Sequence, residues 1–179
     1  MQYNSSDITD PDTGRDCRST FPYGAFDAFR DRAGQFSEVF AFTQMRRVAV
    51  RVEGQSTVLQ GMIVSGNYFR GLGVEPMIGR LLNEADDQEG AEPVAVVSYQ
   101  FWRDSFGSDP RAIGTSAMLN GVAATIVGVT KPDFYGVSPG GFVPSPDVSI
   151  PMHLAPVTES WINRDDRQVF ADSGIWWLN

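Results

Sequence analysis

The sequence predicts an α+β domain, with mixed sheets, β-hairpins and short helices. Three observations carry this. Aromatic residues recur at spacings of three and four between Pro22 and Phe40, β-branched runs of strand length follow, and Asn120-Gly121 sits between two more such runs. Strands and helices interchange irregularly, which does not suit a regular alternation of strand and helix.

The elements follow in order. Residues 1–18 are polar and turn-rich, with Asp10-Pro11 and Thr13-Gly14 as breakers, so they read as a flexible N-terminal linker ahead of a core domain over 19–179. From Pro22, Phe26, Phe29, Ala33, Phe36 and Phe40 lie on one helical face. Ser19 or Thr20 is the expected cap, Pro22 stands in the first turn, and Gly34 bends or ends the first part. Residues 46–52 and 57–65 form a predicted hairpin around Glu53-Gly54-Gln55-Ser56. The second strand runs into VSGNYFRGLGVEPMIGR, residues 64–80. There Ser65 or Asn67 is expected to cap one turn over Tyr68–Leu72, and Phe69 and Leu72 point back at the sheet. Gly71 and Gly73 supply positive φ or close backbone approach, Pro76 stops the helix, and Arg80 pairs with a carboxylate or carbonyls.

NEADDQEGAE, residues 83–92, offers oxygen donors at Asp86, Asp87 and Glu89. Their spacing does not match an EF-hand loop, so the run reads as a solvated loop. Val94–Val97 then read as a buried strand. Ser98 caps a helix with Phe101, Trp102 and Phe106 on its inner face, Gly107 ends it, and Asp109-Pro110 starts a short turn closing at Gly114. Residues 115–129 form a hairpin about Asn120-Gly121, with Gly128 marking a close neighbouring backbone. A Pro- and Gly-rich loop leads to a last strand in DVSIPMHL.

The chain has 179 residues, enough for one domain with a real core or two small lobes sharing one. A formal charge of -8 repels phosphate backbones and anionic lipid, so nucleic acid is not an expected partner. Cys17 is the single cysteine and has no neighbouring base, so neither an internal disulfide nor thiol chemistry is expected. No apolar run approaches the roughly 20 residues of a membrane helix. The end, SGIWWLN, places Ile175, Trp176, Trp177 and Leu178 where polar residues usually stand, so the chain is expected to be a piece cut through a buried element.

Little chemistry is legible. His153 is the only histidine, and no G-x-S-x-G elbow accompanies it. His/Cys metal clusters are excluded by count, Lys131 is the only lysine, and the glycines of residues 64–80 lack the strand, tight turn and long helix of a phosphate-binding loop. No catalytic, cofactor-binding or metal-binding residue is assigned, and no cofactor is expected. A ligand- or lipid-binding module would show an apolar cavity of about a few hundred Å³. An enzyme would show perturbed titrating groups in a cleft around His153 or the acids of residues 86–92.

The wording of four blocks is more specific. VSGNYFRGLGVEPMIGR, PVAVVSYQFWRDSFGSDPRAIG, LNGVAATIVGVTKPDFYG and DVSIPM, with the upstream YGAFDAFRDRAGQFSEVFAF, resemble the extracytoplasmic core domain of MacB-like ABC transporter permeases over residues 20–152, in order. Within that group the chain is similar to stand-alone, often duplicated permeases. Ser149 departs from the aromatic often found there, which bears on how the last strand packs. The resemblance implies a porter-like lobe plus an inserted lobe, expected to be incomplete here. It also implies a place between the first and second membrane helices, on the periplasmic or extracytoplasmic side of the inner membrane. The role implied is non-catalytic coupling of cytoplasmic ATP hydrolysis to export or other envelope work. The implied partners are the protein's own membrane helices and the transporter's ATPase subunit, with a homodimer or a periplasmic adaptor protein in addition.

Overall fold

The computed structural model describes residues 21–32, 34, 36–52, 54–137, 145–159 and 178. The linker, Cys17, the caps Ser19 and Thr20, Ala33, most of the Pro- and Gly-rich loop and residues 175–177 lie outside the described residues. Helix α1 (Tyr23–Asp31) leads into β1 (Phe42–Val52) and β2 (Gln55–Val64). Next come α2 (Tyr68–Gly71), β3 (Pro76–Gly79), β4 (Val94–Val97), α3 (Tyr99–Phe106), β5 (Ser116–Leu119), β6 (Val122–Thr130), β7 (Val148–Pro151) and α4 (Ala155–Thr158). The seven strands form one mixed sheet in the order β3-β6-β4-β7-β2-β1-β5, and β5 also pairs with β6. That last pairing closes β6, β4, β7, β2, β1 and β5 into a ring, with β3 alongside β6. Closure removes most of the free edges an open sheet would present.

The α+β class, its mixed sheet and its hairpins are those the sequence predicts. The described strands make one continuous sheet with apolar clusters on its two faces. Strand alternation does the sorting: Ile63, Ala95 and Val97 belong to one cluster, and Met62, Val64, Val94 and Val96 to the other. Both hairpins form. Gly54 takes φ 83 in the first, while Asn120 (φ 47) and Gly121 (φ 91) make the primed turn of the second. Asn120 does more than turn the chain. Its Oδ1 accepts the Ala49 N–H at 2.8 Å, its own N–H donates to the Ala49 carbonyl at 2.9 Å, and its Nδ2 donates to the Thr158 carbonyl at 2.8 Å.

The long aromatic helix is corrected. The helix ends at Asp31, with Pro22 as its N-cap, and among the described residues of the expected stripe only Phe26 is core. Phe29 and Phe36 are 56% and 71% exposed, and Phe40 packs against the second cluster from the chain leading into β1. The 3.6-residue period runs across Gly34 into residues 36–41, which belong to no helix and lead into β1.

The helix after β4 follows its signals closely. Ser98 Oγ accepts the Phe101 N–H at 3.0 Å, Phe101 and Trp102 are buried, and Gly107 closes the helix in the left-handed conformation. Asp109 likewise caps the short turn Pro110–Ala112, and Trp102 Nε1 donates to its carbonyl at 2.8 Å. Ser149, opposite both Met62 and Val96, is buried in the centre of β7. Finally, Phe21 and Leu178 pair as an antiparallel bridge hydrogen-bonded in both directions at 2.8 and 3.1 Å, and Leu178 is buried in the first cluster.

Candidate functional site

The corner at residues 64–80 gathers the densest polar network of the described molecule. Tyr68 and Phe69 start the single turn of α2 and are wholly buried, Tyr68 edge-on to Phe40 and Phe69 and accepting the Val137 N–H at 3.1 Å. Leu72 is half-buried against the same cluster. Gly71 lets the Phe40 ring approach, since a Cβ there would stand 2.5 Å from it, and Gly73 exits at φ +66 with open space around it. Conformation rather than room therefore selects glycine at residue 73. Gly73→Val should cost about 2 kcal/mol and Gly73→Asn less than half of that, since asparagine tolerates the left-handed region. Urea denaturation of the two variants decides it, and equal losses would refute the conformational account.

The expected caps do not form. Neither the Ser65 nor the Asn67 side chain bonds to the helix amides, which reach only their backbone carbonyls. Ser65 Oγ instead accepts the Ala41 N–H at 3.0 Å and donates to Asn67 Oδ1 at 2.9 Å, while Asn67 Nδ2 donates to the Val39 carbonyl and to Glu38 Oε2, each at 2.9 Å. A one-turn helix has few free amides to reward a cap, and the neighbouring segment 38–41 has unpaired backbone groups that need partners. Arg70 finishes this tie by bridging Glu38 and Glu84. Its hydrogen bond, with that of Asn67, holds the Glu38 carboxyl below its ordinary range.

The acidic run is corrected too. Glu84–Asp87 form a 3-10 turn, capped by Asn83 in a reciprocal capping box with Asp86, and two of the acids face inward. Asp86 is 8% exposed and takes Arg80 in a two-pronged ion pair at 2.6 and 2.8 Å, as well as the Asn83 N–H at 2.9 Å. Arg80 thus finds the carboxylate the sequence called for. Asp87 accepts the Gly66 N–H at 3.0 Å and the His153 N–H at 2.8 Å, so one side chain joins the corner to the segment after β7. A charged run suggests solvent, but a carboxylate that collects several N–H donors can be buried at little cost.

Burial works to raise the Asp86 carboxyl, but the Arg80 and Asn83 hydrogen bonds outweigh it and hold the group below the ordinary value of 3.8. A depressed carboxyl contributes stability that is complete above the unfolded-state value and is lost as pH falls through the folded one. Unfolding free energy should therefore decline as pH drops below about 4, and Asp86→Asn should flatten that decline. Denaturant titrations between neutral pH and about pH 3 test this, and an unchanged acid limb in the variant would remove Asp86 from the account.

A cleft of about 400 Å³ opens beside this network, lined by Glu38, Asn67, Arg70, Glu84 and Asp87 among others. Its charged lining differs from the apolar cavity expected of a lipid-binding module. His153 is mostly buried, with neither ring nitrogen hydrogen-bonded and Nδ1 3.8 Å from Asp87 Oδ1. No group of three or more His, Cys, Asp or Glu converges as metal ligands among the described residues. The network's bonds run between chain segments, and its geometry is that of a bracket holding residues 38–41, 65–70, 80–87 and 153 together. Tyr68, Glu38 and the inward turn of Asp87 escaped the sequence reading, and the only available hint was the density of Asn, Asp and Gly around the corner.

The described residues thus form a ring of mixed strands tied at one corner by part-buried polar bonds. Solved structures with the same fold are membrane transporter parts. They include the periplasmic region of MacB from Actinobacillus actinomycetemcomitans (TM-score 0.56, 16% identity, 75% of this chain and 58% of that one). A domain of a permease protein from Porphyromonas gingivalis matches with a TM-score of 0.61 and 14% identity over 90% of this chain and 59% of its own. The extracellular domain of the noncanonic ABC-type transporter YknZ from Gram-positive bacteria matches with a TM-score of 0.58 and 13% identity over 89% of both chains. At these identities the likeness is one of fold, and this chain spans somewhat over half of the first two structures. No curated protein matches the sequence. The profile of the MacB-like periplasmic core domain matches residues 2–173, and the chain belongs to that family. It is thus a MacB-like periplasmic core domain.

Proposed function

We propose that this domain is the non-catalytic coupling element of its permease, relaying movement driven by cytoplasmic ATP hydrolysis to export or other work in the envelope. The observation that carries the reading is the Phe21–Leu178 bridge. Phe21 and Leu178 are hydrogen-bonded to each other, and Leu178 is embedded in the core, so two segments far apart in sequence are tied at one point of the fold. If each limb continues into a membrane helix, a displacement between those helices acts on this bridge and, through Leu178, on the closed sheet. The corner bracket then lets the sheet and α2 respond as one body instead of dissipating the displacement in loops. Its partners are the permease's own membrane helices and the ATPase, and the moving surface works against a twin domain or a periplasmic adaptor.

The test is a lock. In the full transporter, with Cys17 replaced by serine, Phe21→Cys and Leu178→Cys place two thiols on directly opposed residues, a geometry a disulfide spans readily. Oxidation should depress export while ATP hydrolysis continues, and a reductant should restore export. Export unaffected by a fully formed crosslink would sink the relay through this bridge.

A further inference from the structure

Among the described residues, part of β2 has no strand partner on one of its edges. Only Gly61–Val64 of β2 pair with β7, so residues 55–60 continue past the end of that strand. On β1 the Ala49 carbonyl is taken by Asn120, which turns the main-chain groups of Val48, Val50 and Val52 toward Leu59, Thr57 and Gln55. Gln60 faces the other way, exchanging its main-chain groups with Asp147 at 3.0 Å (to Oδ2) and 2.8 Å (from the Asp147 N–H). By the same alternation Ser56 and Val58 present their N–H and C=O on that far edge, where no strand among the described residues pairs with them.

This edge carries none of the usual protections. QSTVLQ, residues 55–60, contains no charge and no proline, and its register slip lies on the β1 side at residues 45–48. Beside it runs a groove of about 440 Å³, walled by the edge on one side and by Gln100, Asp104 and Ser105 of α3 on the other, with Val52, Leu59 and Phe101 in its floor. An unpaired edge, a facing helix and an apolar floor are the elements of strand addition: main-chain bonds supply affinity, and alternate side chains enter the floor. Among the described residues, the charged ones lining the groove are Asp104 and Asp147, with no lysine or arginine. Arg103 pairs with Asp104 from outside.

We propose that this groove receives an extended segment of a partner protein, which adds as a strand along Ser56–Val58, places an apolar side chain on the Val52–Leu59–Phe101 floor and sets basic residues against Asp104 and Asp147. The acidic rim and the net charge of -8 select a basic segment over a second copy of this chain. The site is independent of the bridge at Phe21–Leu178, so its failure would leave the coupling reading untouched.

The probe is the capped heptapeptide Lys-Thr-Val-Thr-Val-Thr-Lys, titrated against the 179-residue chain and followed by amide hydrogen exchange. In the free chain the Ser56 and Val58 amides should exchange fast while Thr57 and Leu59 are slow, and the peptide should slow the first pair. A peptide N-methylated at alternate residues, or flanked by glutamate instead of lysine, should bind at least about tenfold more weakly. Val58→Pro removes a donor only from the open edge, where proline is tolerated, so the fold should persist by circular dichroism while the peptide is lost. Binding indifferent to N-methylation and to Val58→Pro, or no binding at all, overturns the proposal. So do slow Ser56 and Val58 amides in the free chain, or dimerisation of the free chain through β2.

Discussion

Gly128→Ala is expected to cost at least about 3 kcal/mol, enough to leave a marginal domain largely unfolded. A Cβ on Gly128 would run into the carbonyl of Arg80, a backbone group that no rotamer can move aside. At this point β6 changes register against β4 between Ala95 and Val96, while β3 leaves it through the 2.9 Å bond from the Arg80 N–H to the Val127 carbonyl. Accommodating a methyl group means lifting β3 and the Arg80–Asp86 ion pair with it. Gly121→Ala provides the comparison. Gly121 has φ 91 but open space, so only backbone strain of about 1 to 2 kcal/mol is expected there. Thermal and urea unfolding of both variants would measure the difference, and equal losses would refute the argument from close approach.

The second large effect is expected at Asp87. Asp87→Ala leaves the Gly66 and His153 amides without acceptors in a part-buried corner, and each such loss costs about 1 to 3 kcal/mol. A total near 3 kcal/mol follows. Asp87→Asn keeps one acceptor oxygen but brings an N–H₂ against the second amide, so it should fall between parent and alanine. Hydrogen exchange sharpens the test, since before the sheet does, the amides of Gly66 and His153 should both lose protection in the alanine variant and only one of them in the asparagine variant. If Asp87→Ala stayed within about 0.5 kcal/mol of the parent, the 3-10 turn would be surface after all, as its charge first suggests.

Some of the site was legible in the sequence. Gly128 was marked for close backbone approach, and Arg80 for a carboxylate, because glycine inside a β-branched run and arginine beside an acidic stretch have few other uses. Asn120-Gly121 and the Ser98-to-Gly107 helix were read correctly because each signal is complete within a handful of neighbouring residues. The failures share another property. Ser65, Asn67 and Asp87 were assigned to the nearest helix or to solvent, whereas their partners lie 24, 28 and 66 positions away at Ala41, Val39 and His153. The aromatic run 26–40 misled for the same reason, since the pull of β1 on residues 40–42 is not visible in the run itself.

The sequence by itself determined the α+β class, the hairpins, the capped helix after β4, the absence of a recognisable catalytic motif and the resemblance to a MacB-like periplasmic domain, which the match over residues 2–173 bears out. Tertiary structure alone decided the closure of six strands into a ring through β5 and β6, the inward turn of Asp86 and Asp87, the meeting of Phe21 with Leu178 and the open edge of β2. Local propensity and turn chemistry act over a few residues, and a chain writes them in order. Which strand pairs with which, and which carboxylate can be buried, depend on donors and acceptors brought together from distant positions only once the apolar faces have packed.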